Sequence, residues 1–224
     1  MLLFHTRRFK TFLVSSHEDY VPDLDELSGR YVFDSLWLKI DETEGKFVYL
    51  LVLLDAVYNT IVSYQLVESE TEEVVYKFLR DATRNKDRLS ITTDLKEEYR
   101  KPINDLGFKH QFCMFHAKKN IKKQIWDYVK ENNLPDSTYE EFKSYLGEVY
   151  KIYDVKNQEE VADVVNGLIE RSNEFPEIIN KIINERIQPY YKNLTYFLED
   201  SNIEATSNLI ERLFKDIFDK SIKK

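Results

Sequence analysis

The sequence has a single cysteine, Cys113, among its 224 residues. An internal disulfide is therefore excluded, and the usage fits a reducing, cytoplasmic setting. Glycine and proline number only five each, so tight turns are few and regular structure dominates. Basic charge is in deficit: 32 Lys and Arg face 40 Asp and Glu, a net charge of −8. The overall basic footprint of a nucleic-acid binder is thus missing, although a local basic face can coexist with an acidic whole. No apolar run reaches the length of a membrane span. The longest, Phe47 to Val57, is broken by Asp55. The opening MLLFHTRRFKTFL is short and basic, with no long apolar core or small-residue cleavage site, so no signal peptide is expected. What is plentiful is a globular mixture, 42% hydrophobic and 32% charged, able to bury a sizeable core.

Residues 1–30 read as an N-terminal segment. Thr6 to Val14 suits a short helix or strand, and His17 to Gly29 an acidic loop or linker. YVFDSLWLKI, residues 31–40, then has the aromatic and β-branched content of a strand, with Asp34 in its middle. A charge in an otherwise buried strand is costly unless paired. Asp34 either points to solvent, meets a lysine, or belongs to a site. DETEGK reads as a turn around Gly45, FVYLLVLLDAV as a strand buried on both faces, and TIVSYQLVES as a third strand. Short connections make these three an antiparallel meander.

Thr71 to Arg84 has helical spacing, with Thr71 or Ser69 as cap. LSITTD is a short strand ending in Asp94. EEYRKPINDLG is a helix ending at Gly107, and KHQFCMF another short strand. The order predicts an α/β chain, a mixed sheet flanked by helices. Helical periodicity follows at Ile121 to Val129, Tyr139 to Tyr150, Gln158 to Arg171 and Phe175 to Arg186. Asp136-Ser137-Thr138 and Asn157 are the candidate caps. A last helix is predicted from about Ile203 through Phe218.

Three carboxylates stand out by position: Asp34 in the first strand, Asp94 at the end of the fourth, Glu211 in the last helix. If the fourth strand pairs beside the first, Asp34 and Asp94 sit side by side. The helical stretch can loop out so that the final helix returns to the sheet. Clustered carboxylates suit Mg²⁺ or Mn²⁺, and two such ions can stabilise both oxygens of a phosphodiester displacement. The plain readings are an exposed strand residue for Asp34, a helix cap for Asp94, and a choice among Glu211, Glu204 and Glu199 for the third position. Cys113 and His116 lack the second pair of a structural zinc site. Cys113 is expected in the core and His116 near the carboxylates, contacting DNA or orienting Asp94. Asp55 is expected opposite Asp34 as an ion-pair partner, His110 at the surface, and Trp37 and Trp126 in the core. Lys118, Lys119, Lys122 and Lys123 follow His116 along one helix. They offer the best phosphate-binding patch, or are solvated surface. Tyr190, Tyr191 and Lys192 stack on bases or pack in the core.

FDSLWLKI with GKFVYLLVLLDAVYNTIVSYQL resembles the first-Asp strand, and the strands after it, of DDE transposases of bacterial and archaeal insertion sequences. SITTDLKEEYRKPINDLGFKHQFCMFHAKKNI resembles their second-Asp block with its Cys-x-x-His. TSNLIERLFK resembles the Asn-x-x-Glu helix. The resemblance covers about residues 31–218. It implies a ribonuclease H-like fold with an all-helical insertion before the last catalytic helix: core from 31 to 117, insertion from 118 to 199, and a completing helix within 200–224. It also implies a metal-binding triad of Asp34, Asp94 and Glu211, with Asn208 one turn before the glutamate. DNA is the implied partner, in a homo-oligomer at the nucleoid, and the implied reaction is strand cleavage followed by strand transfer. Residues 1–30 carry no helix-turn-helix or zinc-finger spacing, and the basic charge after the Glu helix is diluted by Asp216 and Asp219. Two further expectations are therefore a truncated, non-catalytic derivative that binds DNA or a partner, and a nuclease without strand transfer.

Overall fold

The computed structural model describes residues 27–39 and 47–217. The segment at Thr6 to Val14, the turn around Gly45 and the helix end at Phe218 lie outside them. β1 (Arg30–Lys39), β2 (Phe47–Asp55) and β3 (Thr60–Val67) form the antiparallel meander. After α1 (Glu72–Ala82) comes β4 (Ser90–Thr93), and after α2 (Glu97–Asp105) comes β5 (Lys109–Phe112). Each helix carries the chain back across the sheet, so β4 pairs parallel to β1 and β5 parallel to β4. The order β3-β2-β1-β4-β5 is a mixed sheet flanked by helices, the expected ribonuclease H-like arrangement.

Alternation along β1 decides what faces what. Tyr31 and Phe33 pack with Val75, Phe78 and Leu79 of α1 and with Tyr99 and Ile103 of α2. The Phe33 ring lies 4.8 Å from that of Tyr99 and 5.8 Å from that of Phe78. Val32 packs on the opposite face with Leu50, Val52, Ile210 and Phe214. The last two belong to α9 (Asn208–Ile217). Asp34, two residues after Val32, therefore shares the face that α9 covers.

The middle of the chain is helical: α3 (Met114–Glu131), α4 (Asp136–Ser144), α5 (Leu146–Tyr150), α6 (Gln158–Glu170), α7 (Glu177–Ile182) with a π turn at Ile183–Ile187, and α8 (Tyr191–Thr195). Its core gathers Ile125, Val149, Val161, Leu168 and Ile182, and Phe112 at the end of β5 joins it. Thr71 caps α1 by accepting from the Val74 amide at 3.4 Å. Asn157 caps α6 through the Glu160 amide at 2.9 Å. Gly107, at φ +83°, ends α2 in the left-handed region that favours glycine.

Four expectations are corrected here. β5 stops at Phe112, where its ladder to β4 ends, and Cys113 and Met114 begin α3 instead of extending the strand. The Asp136-Ser137-Thr138 cap does not form. Pro135 takes the cap position with no side-chain bond, and Asp136 pairs with Lys130 at 2.7 Å. Residues 203–207 are not helical; their backbone is tied to β4 and to the start of α3. The Glu204 carbonyl accepts from Thr92 Oγ1 at 2.6 Å and the Ala205 carbonyl from the Met114 amide at 2.9 Å. Trp126 is 39% exposed rather than in the core, packed edge-on against Tyr139.

α9 has ten residues, too few for a helix to persist alone in water. Its docking rests on Ile210 and Phe214. Phe214→Ala is expected to cost about 3–5 kcal/mol, read by urea unfolding. Amide exchange should speed up in α9 before it does in β4 and β5. Equal loss across all three would show that α9 is not a separable unit.

Candidate functional site

β1 and β4 last pair at Val32 and Thr92. Asp34 and Asp94 each stand two residues further on, so two neighbouring parallel strands deliver one carboxylate apiece to the same end of the sheet. Burial and then the Asp94 charge push the Asp34 carboxyl up from 3.8 to about 7. The Ser35 amide, which donates to Asp34 Oδ1 at 2.7 Å, works against that rise, as do Lys96 and His116. Asp94 is also raised, by burial first and by the Glu70 charge. Lys96 opposes this by its charge and by its backbone N–H at 3.1 Å, and His116 by its charge.

Lys96, Glu70, Ser35 and Tyr99 form a network that the sequence reading did not single out. Lys96 Nζ donates to Glu70 Oε2 at 2.9 Å, Ser35 Oγ at 3.0 Å and Tyr99 Oη at 3.1 Å. The Tyr99 hydroxyl also meets Glu70 Oε1. Burial pulls the ammonium down, but Glu70, Asp94 and Asp34 outweigh it and hold Lys96 above its ordinary range. The signal available in the sequence was slight: a lysine two residues after a candidate aspartate.

The third carboxylate is approached through Cys113. Cys113 is buried, and its Sγ accepts from the Ser207 amide at 3.3 Å and lies 3.2 Å from His116 Nδ1. Burial favours the neutral thiol, yet these bonds from His116 and Ser207 win and hold its pKa below the usual value. His116 is raised in turn, by the Cys113 bond first, against burial, with help from Glu211 and Asp94. His116 Nε2 lies 3.9 Å from Glu211 Oε1, which also accepts from Ser207 Oγ at 3.2 Å. His116 thus interacts in charge with Asp34, Asp94 and Glu211 alike. Among the described residues, no three His, Cys, Asp or Glu side chains are gathered as a metal-holding group. Asp94 is near enough for its charge to raise the Asp34 carboxyl, and Glu211 meets His116 and Ser207. The pair's donors are hard carboxylate oxygens whose repulsion a divalent cation would relieve, so the chemistry of the pair fits Mg²⁺ or Mn²⁺.

The other sequence candidates divide. Lys118 lies 4.7 Å from the Tyr153 ring, inside the helical block. Lys123 pairs with Asp127 at 2.5 Å. Lys119 and Lys122 are exposed and make no ion pair among the described residues, on the same ridge of α3 as Phe115, which is 53% exposed. Asn208 is exposed at the start of α9. Glu199 pairs with Lys109 at 2.6 Å. Glu204 precedes the helix and lends its carbonyl to Thr92. Tyr190 stacks under the Arg100 guanidinium, 4.7 Å from its ring centre. Asp55 is not opposite Asp34: its register partner is Tyr31. Nor is it an ion-pair partner. It is fully buried and accepts from the Ser28 hydroxyl and the amides of Ser28, Val57 and Tyr58. His110 is not at the surface but 2% exposed, bonded to Thr93 Oγ1 at 2.8 Å. Burial, with Arg100 nearby, drives its pKa down to about 3. A cleft of about 470 Å³ opens between α3 and the helical block. Neither Asp34 nor Glu211 lines it, and its Lys123, Lys181 and Arg186 are matched by Asp127, Glu131 and Glu185.

No family model matches the chain. It is similar to an uncharacterized 48.3 kDa protein of insertion element ISM1 from Methanobrevibacter smithii, 26% identical over 216 residues. The match covers 96% of this chain and 53% of that protein, so the chain spans about half the length of the curated relative it matches. Among solved structures, a chain of the simian T-cell lymphotropic virus intasome in complex with the PP2A regulatory subunit B56 gamma aligns with a TM-score of 0.30 and 17% identity. That alignment covers 49% of this chain and 44% of that one.

The raised Asp34 carboxyl fixes a sign. Between about 4 and about 7 the folded chain keeps a proton that the unfolded chain has lost. Metal-free stability therefore falls as pH rises through that window. His116, also raised, loses its contribution in the same direction. Thermal unfolding in EDTA should give a lower Tm at pH 8 than at pH 5, and Asp34→Asn should flatten the slope. An unchanged slope in that variant would show that Asp34 is not the group responsible.

Proposed function

We propose that the chain is the catalytic core of a DDE-type transposase, cleaving DNA strands at element ends and joining them to target DNA with Mg²⁺ or Mn²⁺. The observation that carries this reading is the half-buried Asp34–Asp94 pair, delivered by adjacent parallel strands on the face covered by the Glu211 helix. The likeness to an insertion-element protein supports it. Asp34 and Asp94 would hold the cation, and Glu211 would complete its shell. A cation held there would stabilise the attacking and leaving oxygens of the phosphodiester. Ser207 and His116 orient Glu211.

DNA approaches along the outer ridge of α3, where Lys119 and Lys122 meet phosphates and Phe115 offers a face to a base. The active form is a homo-oligomer acting at the nucleoid. Among the described residues no helix is long and apolar enough to cross a membrane. One observation favours a second reading, a non-catalytic insertion-element derivative that binds DNA or a partner: Glu211 is not gathered with the aspartates.

Nicking of DNA carrying insertion-element ends separates the two. The proposed core nicks with Mg²⁺ or Mn²⁺ and loses detectable activity as Asp34→Ala or Asp94→Ala. A wild type no better than Asp34→Ala leaves the non-catalytic reading. Independently, Lys119→Ala and Lys122→Ala should each lower the salt dependence of DNA binding, log Kobs against log salt, by about 1. An unchanged slope would place the DNA elsewhere.

A further inference from the structure

We infer that Lys96 is a resident counter-ion of the Asp34–Asp94 pair, a positioning residue that holds the two carboxylates together and limits how tightly they take a divalent cation. The inference rests on reading the pair as a cation site.

An ammonium has three N–H donors. Those of Lys96 go to Glu70, Ser35 and Tyr99 at 2.9, 3.0 and 3.1 Å. None is left for a substrate phosphate, so Lys96 is a fixed charge and not a DNA ligand. Its anchors come from three places: Ser35 beside Asp34 in β1, Glu70 in the link from β3 to α1, and Tyr99 in α2. The Glu70 side chain is only 8% exposed, and the Tyr99 ring lies 5.2 Å beneath the ammonium. The Lys96 amide binds Asp94 Oδ1 at 3.1 Å. One residue thus grips the neighbourhood of both aspartates, through backbone at Asp94 and through Ser35 at Asp34.

The charges also sum to a purpose. Three carboxylates, Asp34, Asp94 and Glu70, surround one ammonium. With all three ionised the residual charge of this group is −2. Removing Lys96 leaves −3, and neutralising Glu70 leaves −1. The two changes should move cation affinity in opposite directions, a result that general loss of structure cannot produce.

The experiment titrates the full chain with Mn²⁺ at pH 8.5, following free Mn²⁺ by electron paramagnetic resonance. Lys96→Met should bind about tenfold tighter and Glu70→Gln about tenfold weaker, the scale expected of a unit charge in a partly screened site. Lys96→Arg should bind like wild type, and Asp34→Asn should lose the site. If Asp34→Asn loses it while Lys96→Met binds no tighter, the counter-ion role is overturned and the cation site stands. If Asp34→Asn binds like wild type, or no Mn²⁺ binds at all, the cation-site reading falls and the affinity limit with it. A metal-free cycle decides the positioning role separately. In EDTA, Lys96→Met should lower Tm more in wild type than in an Asp34→Asn, Asp94→Asn background. An equal drop in both would show that Lys96 serves Glu70 alone and would overturn that role.

Discussion

Two like charges must share one end of the sheet, and most of what surrounds them answers that constraint. The Asp94 charge raises the Asp34 carboxyl, so the two repel. The register of β1 against β4 brings them together, and partial burial thins the water that would screen them. The opposing features are local and specific: the Ser35 amide on Asp34, the Lys96 amide on Asp94, the Lys96 ammonium between them in charge, and His116 from the side of α9. A site of this kind is a poor place to store stability and a good place to hold a cation.

The third carboxylate is governed by the chain before its helix more than by the helix itself. Residues 200–207 are fastened at several points. Arg30 at the start of β1 binds Asp200 at 2.5 Å. Thr92 of β4 holds the Glu204 carbonyl, the first amide of α3 holds that of Ala205, and Cys113 receives Ser207. Each link runs from a strand or helix end to this one segment. α9 then needs only Ile210 and Phe214 on the sheet to fix its rotation, and with it the direction in which Glu211 points.

The parts legible in the sequence were those governed by local period. Aromatic and β-branched content marks β1, a continuous apolar run marks β2, short turns join β3 to them, and Asn157 and Thr71 are candidate caps that form. Asp34 stood out because a charge interrupted a buried pattern, and Asp94 because it closed a short strand. Contacts between distant segments were not legible. Lys96 reaches Glu70 across 26 residues and Ser35 across 61, and no period records such a meeting. His110 and Asp55 read as surface or ion-pair residues because their types are usually found there. Their burial follows from partners, Thr93 and Ser28, whose positions depend on the completed sheet. The helix read from about Ile203 starts instead at Asn208, because the backbone of Glu204 and Ala205 is held by Thr92 and Met114 on the approach to α9.

α3 joins the carboxylate end of the sheet to the helical core. Its 18 residues make a rod of about 27 Å. The first turn carries Phe115 and His116 beside the carboxylates. Further along, Ile121, Ile125 and Val129 are buried, and the first two lie in the core of the helical block. A continuous helix passes a change of tilt at one end to the other. The block therefore has a physical role at the site without lining it. By fixing the axis of α3 it fixes His116, and His116 is the group through which Glu211 and the aspartates share one field. The helical stretch between Asp94 and Glu211 is, in these terms, a splint for the helix that carries His116.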